Sequence, residues 1–178
     1  MSDFVVIDTE TTGLDTETDE ILEIAIIDGS GEVVLKSLVA PIAKSVWPEA
    51  QLIHGITPED VESAPTLEDL RSEIAEAVHG KLVVIYNAEF DSRMLSGFLD
   101  GAADIHCAMT AFSEEYAIAH EETERWHKLV HAAHYVGHDW GQDAAHRAIH
   151  DASATLSVWH WCHRQDPAAH PVEVRSAA

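Results

Sequence analysis

Apolar residues recur along this chain in two rhythms, and the change between them predicts the architecture. Short apolar runs dominate the first forty residues. Phe4 to Ile7 is continuous enough for a buried strand, and the pattern predicts strands over about residues 3–7, 21–28 and 32–39. Asp28-Gly29-Ser30-Gly31 between the last two is a hairpin turn signal. Leu82 to Tyr86 predicts a fourth strand and residues 103–107 a fifth. Elsewhere the spacing is helical. Pro48 opens a short helix over residues 48–54, and Pro58 sits at the first position of another. Thr66-Leu67-Glu68-Asp69 reads as a capping-box start for a helix running to His79, where Gly80 stops it. Further helices are predicted over residues 89–99, 110–119, 124–136 and 147–164. Strands first, then strands mixed with helices, then helices alone, predict an α/β fold: a central mixed five-stranded sheet flanked by helices. No linker or repeat interrupts residues 1–165, which read as one domain. Residues 166–178, with their Pro and Ala, read as a flexible C-terminal tail.

Composition narrows the class. The 178 residues are 46% hydrophobic, enough for a globular domain with a real core. No apolar run approaches the roughly 20 residues of a membrane helix. Met1-Ser2-Asp3 lacks the basic start of a secretory signal. Cys107 and Cys162 have no metal-type spacing and fit reduced thiols, with a single disulfide as the alternative. These features point to a cytoplasmic protein with no membrane partner. Charge is the unusual feature: ten Lys and Arg against 32 Asp and Glu give a net charge of -22. Alone, that balance argues against nucleic-acid binding, because phosphate contacts want a basic face. Three escapes exist: bound divalent ions, a local cluster of basic residues at one cleft, or a high-salt habitat that screens repulsion.

The candidate chemistry lies where apolar runs end in acids. Asp8 and Glu10 follow the first run, and residues i and i+2 of a strand share a face. Two carboxylates held side by side repel, and a multivalent cation is the simplest compensation. The plainer reading is a strand exit with solvated acids. The fourth run empties into Asn87-Ala88-Glu89-Phe90-Asp91, which puts Asp91 near a helix start, where capping is the plainer role. Asp151 falls in the last predicted helix, five residues after His146. On one helix the two would lie about 140° apart, so a joint role puts His146 in the loop before the helix. His150, beside Asp151, is a rival base.

Taken together these segments resemble the DnaQ-like exonuclease superfamily in its DEDDh branch. Asp8-Thr9-Glu10 matches the first motif, Asn87 to Asp91 the second, and His146-x4-Asp151 the third. The sister branch has Tyr-x3-Asp, and Arg147 stands where its Tyr would be. The resemblance spans about residues 4–164. It implies an RNase H-like fold and a 3′–5′ exonuclease releasing nucleoside 5′-monophosphates from single-stranded 3′ ends. DNA is the preferred substrate, with short RNA as the alternative and a silent binding module on the same fold as the alternative of another class. Asp8, Glu10, Asp91 and Asp151 form an all-oxygen set that favours Mg²⁺ or Mn²⁺ over Zn²⁺. Two such ions about 4 Å apart would clamp the phosphodiester, with Asp8 bridging. His146 would take the proton of the attacking water, a task suited to an imidazole with its ordinary pKa of about 6.5. The family further implies that Leu14 wedges against terminal bases. It also implies that His54, Asn87 and Phe90 shape the nucleotide pocket, and that amides around Thr12 and Gly13 help hold the nucleotide. For Leu14 and Phe90, simple core packing is the alternative. A polymerase partner is possible in principle, although the short tail favours a free-standing enzyme. The acidic balance predicts distributive digestion.

His127, His131, His134 and His138 recur at helical spacing opposite an apolar stripe of Leu129, Ala132, Ala133 and Val136. They are expected on a solvated helix face. Trp159 and Trp161 are expected to pack rather than stack on bases.

Overall fold

The computed structural model describes residues 4–141 and 146–164. Five strands, β1 (Phe4–Thr11), β2 (Ile21–Asp28), β3 (Val33–Leu38), β4 (Leu82–Ile85) and β5 (Asp104–Cys107), form one mixed sheet in the order β3-β2-β1-β4-β5. The fold class expected from the sequence is the one observed. The predicted tail at residues 166–178 lies outside the described residues.

The pairing of β1 positions everything that follows. On one side β2 runs antiparallel to it from Val5↔Asp28 to Thr11↔Ile21. On the other side β4 runs parallel only from Phe4↔Leu82 to Ile7↔Ile85. From Asp8 onward β1 therefore keeps one neighbour and loses the other. The strand was expected to stop at Ile7. It continues to Thr11 because β2 goes on pairing it. Asp8 and Glu10 thus lie inside a strand, and the pleat sets their shared face.

Each face of the sheet carries its own apolar layer. Val5, Ile7, Ile24, Ile26 and Ile85 pack with Ile74 and Val78 of α3 (Arg71–Val78), and with Leu95 just after α4 (Ala88–Met94). Val6, Ala25, Ile27 and Val84 pack on the other face. Their partners are Phe112 of α5 (Ala108–His120), Ala132 of α6 (Leu129–Tyr135), and Ala152 and Leu156 of α7 (Ala148–Cys162). Burying a large apolar side chain here contributes roughly 1.5–3 kcal/mol. Two short helices, α1 (Pro48–His54) and α2 (Pro58–Val61), flank a small third cluster, in which the Trp47 indole donates to the Ile56 carbonyl at 2.8 Å.

Three predicted helices are shorter than expected, each for a local reason. Thr66 and Asp69 exchange the expected capping bonds, but these close a turn, and the helix begins only at Arg71. The helix expected over residues 89–99 ends at Met94, and the chain then passes through Gly97 with φ of 77°, a left-handed conformation suited to glycine. The helix expected from residue 124 starts at Leu129. Residues 122–128 instead run as an irregular strap. The Ser113 hydroxyl donates to the Arg125 carbonyl and the Tyr86 hydroxyl to the His127 carbonyl, each at 2.8 Å. Tertiary donors there take carbonyls that a helix would have used itself.

That strap also corrects the histidine stripe. His127 is buried rather than solvated, edge-on to Phe112 at 5.3 Å and stacked on His131 at 4.8 Å. Burial holds its imidazole pKa below the ordinary value. His131 and His134 are exposed, as expected, and His138 is half-buried. Trp159 is buried and meets His106 edge-on at 5.6 Å. Both cysteines are free thiols. Among the described residues no helix is long and apolar enough to cross a membrane.

Candidate active site

The half-open edge of β1 is where the acids gather. One carboxylate oxygen from each of Asp8, Glu10 and Asp151 lies within 4.8 Å of the other two. The reason is geometric. Asp8 and Glu10 share the face of Val6, and Val6 packs against the α7 layer from which Asp151 projects. Asp91 comes from the other side. Thr9 points to the opposite face, and its hydroxyl donates to the buried Asp91 carboxylate at 2.7 Å. The structure therefore brings three of the four expected ligands into one cluster. It holds the fourth beside them, close enough that its charge raises the pKa of Asp8.

Burial and mutual repulsion disfavour ionisation of these carboxylates. Burial, followed by repulsion from Asp91, Asp151, Glu10 and Glu23, pushes the Asp8 carboxyl well above its ordinary range. Glu10 is pushed up to about 8 by burial, then by Asp151, Glu23 and Asp91, with Arg147 opposing. Burial raises Asp91 to about 6 against the pull of the Thr9 hydroxyl. Burial also raises Asp151, against the His146 amide and the neighbouring imidazoles of His146 and His150. An all-oxygen donor set that resists ionisation for lack of a counter-charge fits a hard divalent cation such as Mg²⁺ or Mn²⁺.

His146 precedes α7 rather than lying on it, as the spacing required. It is exposed, its φ of 74° is left-handed, and its amide donates to both Asp151 carboxylate oxygens at 3.2 and 3.3 Å. A non-glycine residue in that region costs of order 1–3 kcal/mol and persists only where its surroundings hold it. What holds it was not foreseen from the sequence. The next residue, Arg147, makes a bidentate pair with Glu23 of β2, Nε to Oε2 at 2.9 Å and Nη2 to Oε1 at 2.8 Å. The Ala148 amide adds a third bond to Glu23 at 3.1 Å. Glu23 is only 1% exposed and stands opposite Glu10 in the β1–β2 register. These bonds hold it ionised, with its pKa below the ordinary value despite burial. Its signal was visible: a lone acid in the apolar run from Ile21 to Ile27. Its partner was not visible, because it lies 124 positions away. His150 sits inside α7, one residue and about 100° round the helix from Asp151.

Next to the acids opens a cavity of about 690 Å³, whose walls include Glu10, Thr12, Gly13, Leu14, Ile53 and His54. Leu14 is 85% exposed, so it is not the core residue of the alternative reading. His54 is buried, and both its ring nitrogens face backbone. Nδ1 accepts from the Ile56 amide at 3.0 Å, which leaves Nε2 to donate to the Thr11 carbonyl at 3.2 Å. It therefore shapes the cavity as a strut. Gly13 is required by its own chain, since a Cβ there would meet the Asp19 carboxylate at 2.4 Å. Asp19 accepts from the Thr12 hydroxyl and the Asp15 amide and pairs with Lys44, which fixes this turn. Asn87 and Phe90 line a second, smaller cavity that shares Leu14 with the first.

A sheet of this order with acids at the half-open edge of its central strand defines an RNase H-like nuclease fold. The exonuclease family model RNase_T matches residues 5–159. An uncharacterized exonuclease, CP81, of Escherichia phage 186 is 37% identical over 169 residues, 88% of this chain and 86% of that protein. The chain belongs to this exonuclease family, within the DnaQ-like superfamily of 3′–5′ exonucleases. A PolC-type DNA polymerase III of Thermotoga maritima is 35% identical over 95 residues, 52% of this chain but only 7% of the polymerase. Among solved structures, exonuclease X in complex with 5′ overhanging duplex DNA superposes with a TM-score of 0.67 at 26% identity, covering 89% of this chain and 90% of that one. E. coli exonuclease I in complex with a dA16 oligonucleotide shares the fold, with a TM-score of 0.72 at 20% identity over 90% of this chain and 41% of its own.

Glu10 has an ordinary value of 4.5 and a folded value of about 8, so without a cation the folded state keeps a proton that the unfolded state releases. Stability present below the ordinary value is lost as pH rises toward 8. In EDTA the melting temperature should fall between pH 5 and pH 8, the Glu10→Gln protein should fall less, and Mg²⁺ should restore more at pH 8 than at pH 5. An equal Mg²⁺ effect at both pH values would contradict the assignment. Separately, Arg147→Ala leaves the Glu23 carboxylate buried without its cation, and should destabilise in urea unfolding by less than the roughly 3–5 kcal/mol of a fully buried pair, because the Arg147 side chain is itself 43% exposed. Arg147→Lys should retain most stability yet lower kcat more than it changes KM, because it loses the planar fork that fixes His146.

Proposed function

We propose that this enzyme removes nucleoside 5′-monophosphates one at a time from the 3′ end of single-stranded DNA, using two Mg²⁺ or Mn²⁺ ions and His146 as general base. The observation that carries this reading is the cluster of Asp8, Glu10 and Asp151 at the rim of a nucleotide-sized cavity. Asp8 and Glu10 from the strand, Asp151 from α7 and Asp91 from α4 would hold the cations. When bound, such cations supply the positive charge that stabilises the phosphoryl transition state and makes water a better nucleophile.

The chain's own residues do the rest. The terminal nucleoside enters the cavity bounded by Thr12, Gly13 and the His54 strut. Leu14, standing out at the cavity edge, separates the terminal base from its neighbour. His146, exposed at the lip and fixed by its amide bonds to Asp151, accepts the proton as the water oxygen bonds to phosphorus. The P–O3′ bond breaks, and the departing 3′ oxygen takes up a proton to leave a new 3′-hydroxyl. DNA is favoured over RNA because exonuclease X and exonuclease I were each solved with DNA. The stretch shared with the PolC-type polymerase makes a proofreading role the related reading.

A 5′-labelled single-stranded DNA and a matched RNA, incubated with Mg²⁺, Mn²⁺ or EDTA, test the proposal. The expected result is a metal-dependent ladder shortening from the 3′ end, faster on DNA. His146→Ala should lower kcat by about 10²–10⁴-fold, the range of general-base catalysis, with little change in KM. Asp8→Ala should abolish cleavage. A His146→Ala protein as fast as wild type would remove the general base from the account.

A further inference from the structure

Across Leu14 from the large cavity lies a second one of about 290 Å³, whose walls include Asn87, Phe90, Arg93 and Trp126. Leu14 lines both. Trp126 is 80% exposed, so its indole does little for folding. The backbone on either side of it is nevertheless pinned. The Ser113 hydroxyl holds the Arg125 carbonyl and the Tyr86 hydroxyl holds the His127 carbonyl, each at 2.8 Å. The His127 ring is itself buried against Phe112 and Tyr116, with centroids at 5.3 and 4.6 Å. The strap is thus fixed at residues 125 and 127, and Trp126 is presented outward between them. A side chain whose backbone is already fixed gives up less freedom on binding.

Charge supplies little net attraction in this cavity. Arg93 is already paired with Glu89 at 2.8 Å, and Asp15 lies on the same wall. The chain as a whole carries -22. Ring faces can supply it, because base stacking tolerates every base and needs no net positive surface.

We propose that Trp126 is a stacking platform for a base of single-stranded nucleic acid just upstream of the terminal nucleotide, separated from the terminal base by Leu14. The inference rests on the exonuclease reading of the adjoining acids. It makes Trp126 a determinant of substrate affinity that the catalytic motifs do not contain.

The test is fluorescence anisotropy of a 5′-fluorescein-labelled dT10 oligonucleotide, with Ca²⁺ in place of Mg²⁺ to slow cleavage. It is run on wild type, Trp126→Ala and Trp126→Phe, with melting curves confirming that each is folded. Trp126→Ala should bind about tenfold more weakly, the effect of losing one base–aromatic stack, and Trp126→Phe should recover most of the loss. Equal affinity of wild type and Trp126→Ala, or no recovery by Phe, overturns the proposal, as does a wild type that does not bind dT10. Wild-type hydrolysis of the p-nitrophenyl ester of thymidine 5′-monophosphate, which has no upstream base, is measured in parallel with Mg²⁺. Its failure would count against the exonuclease reading, while the anisotropy comparison still decides the role of Trp126.

Discussion

The crowding of half-buried carboxylates, short of water and close to one another, is the constraint on which the site depends. One carboxylate oxygen from each of Asp8, Glu10 and Asp151 lies within 4.8 Å of the other two. The nearest arginine is committed to Glu23. Folding therefore gathers carboxylates that disfavour one another's ionisation, an arrangement that fits a divalent cation.

The half-open strand makes the cluster possible. β1 is paired on both sides up to Ile7 and on one side beyond it. Asp8 and Glu10 sit in the strand for rigidity and at its free edge for access. The helices on the two faces then reach the same edge from opposite directions, α7 with Asp151 and α4 with Asp91. The Glu23–Arg147 pair ties the start of α7 to β2, so the loop that carries His146 is referenced to the same sheet as the acids. If His146 is the general base as proposed, Arg147 serves it as a positioning residue.

Much of this was legible in sequence because it is local. The strands β2 and β3, the short helix Pro48–His54 and the three acidic motifs each follow from spacing within a few residues. What was missed depends on partners distant in the chain. The extension of β1 past Ile7 needs β2. The strap at residues 122–128 has helical spacing, but Ser113 and Tyr86 take its carbonyls. Glu23 was visible as an acid in an apolar run, yet its meaning required Arg147. Family resemblance placed His54 at the pocket, where it lines the cavity, and the structure adds the backbone bonds by which it does so.

On the proposed reading, a divalent cation replaces protons on these carboxylates. Isothermal titration calorimetry of Mn²⁺ into the metal-free protein at pH 7, repeated in buffers of different ionisation enthalpy, measures that exchange directly. Because burial and the neighbouring carboxylates push Glu10 up to about 8, binding should release protons, and the Glu10→Gln protein should release fewer. Binding with no net proton release, or no saturable Mn²⁺ binding, would contradict the account.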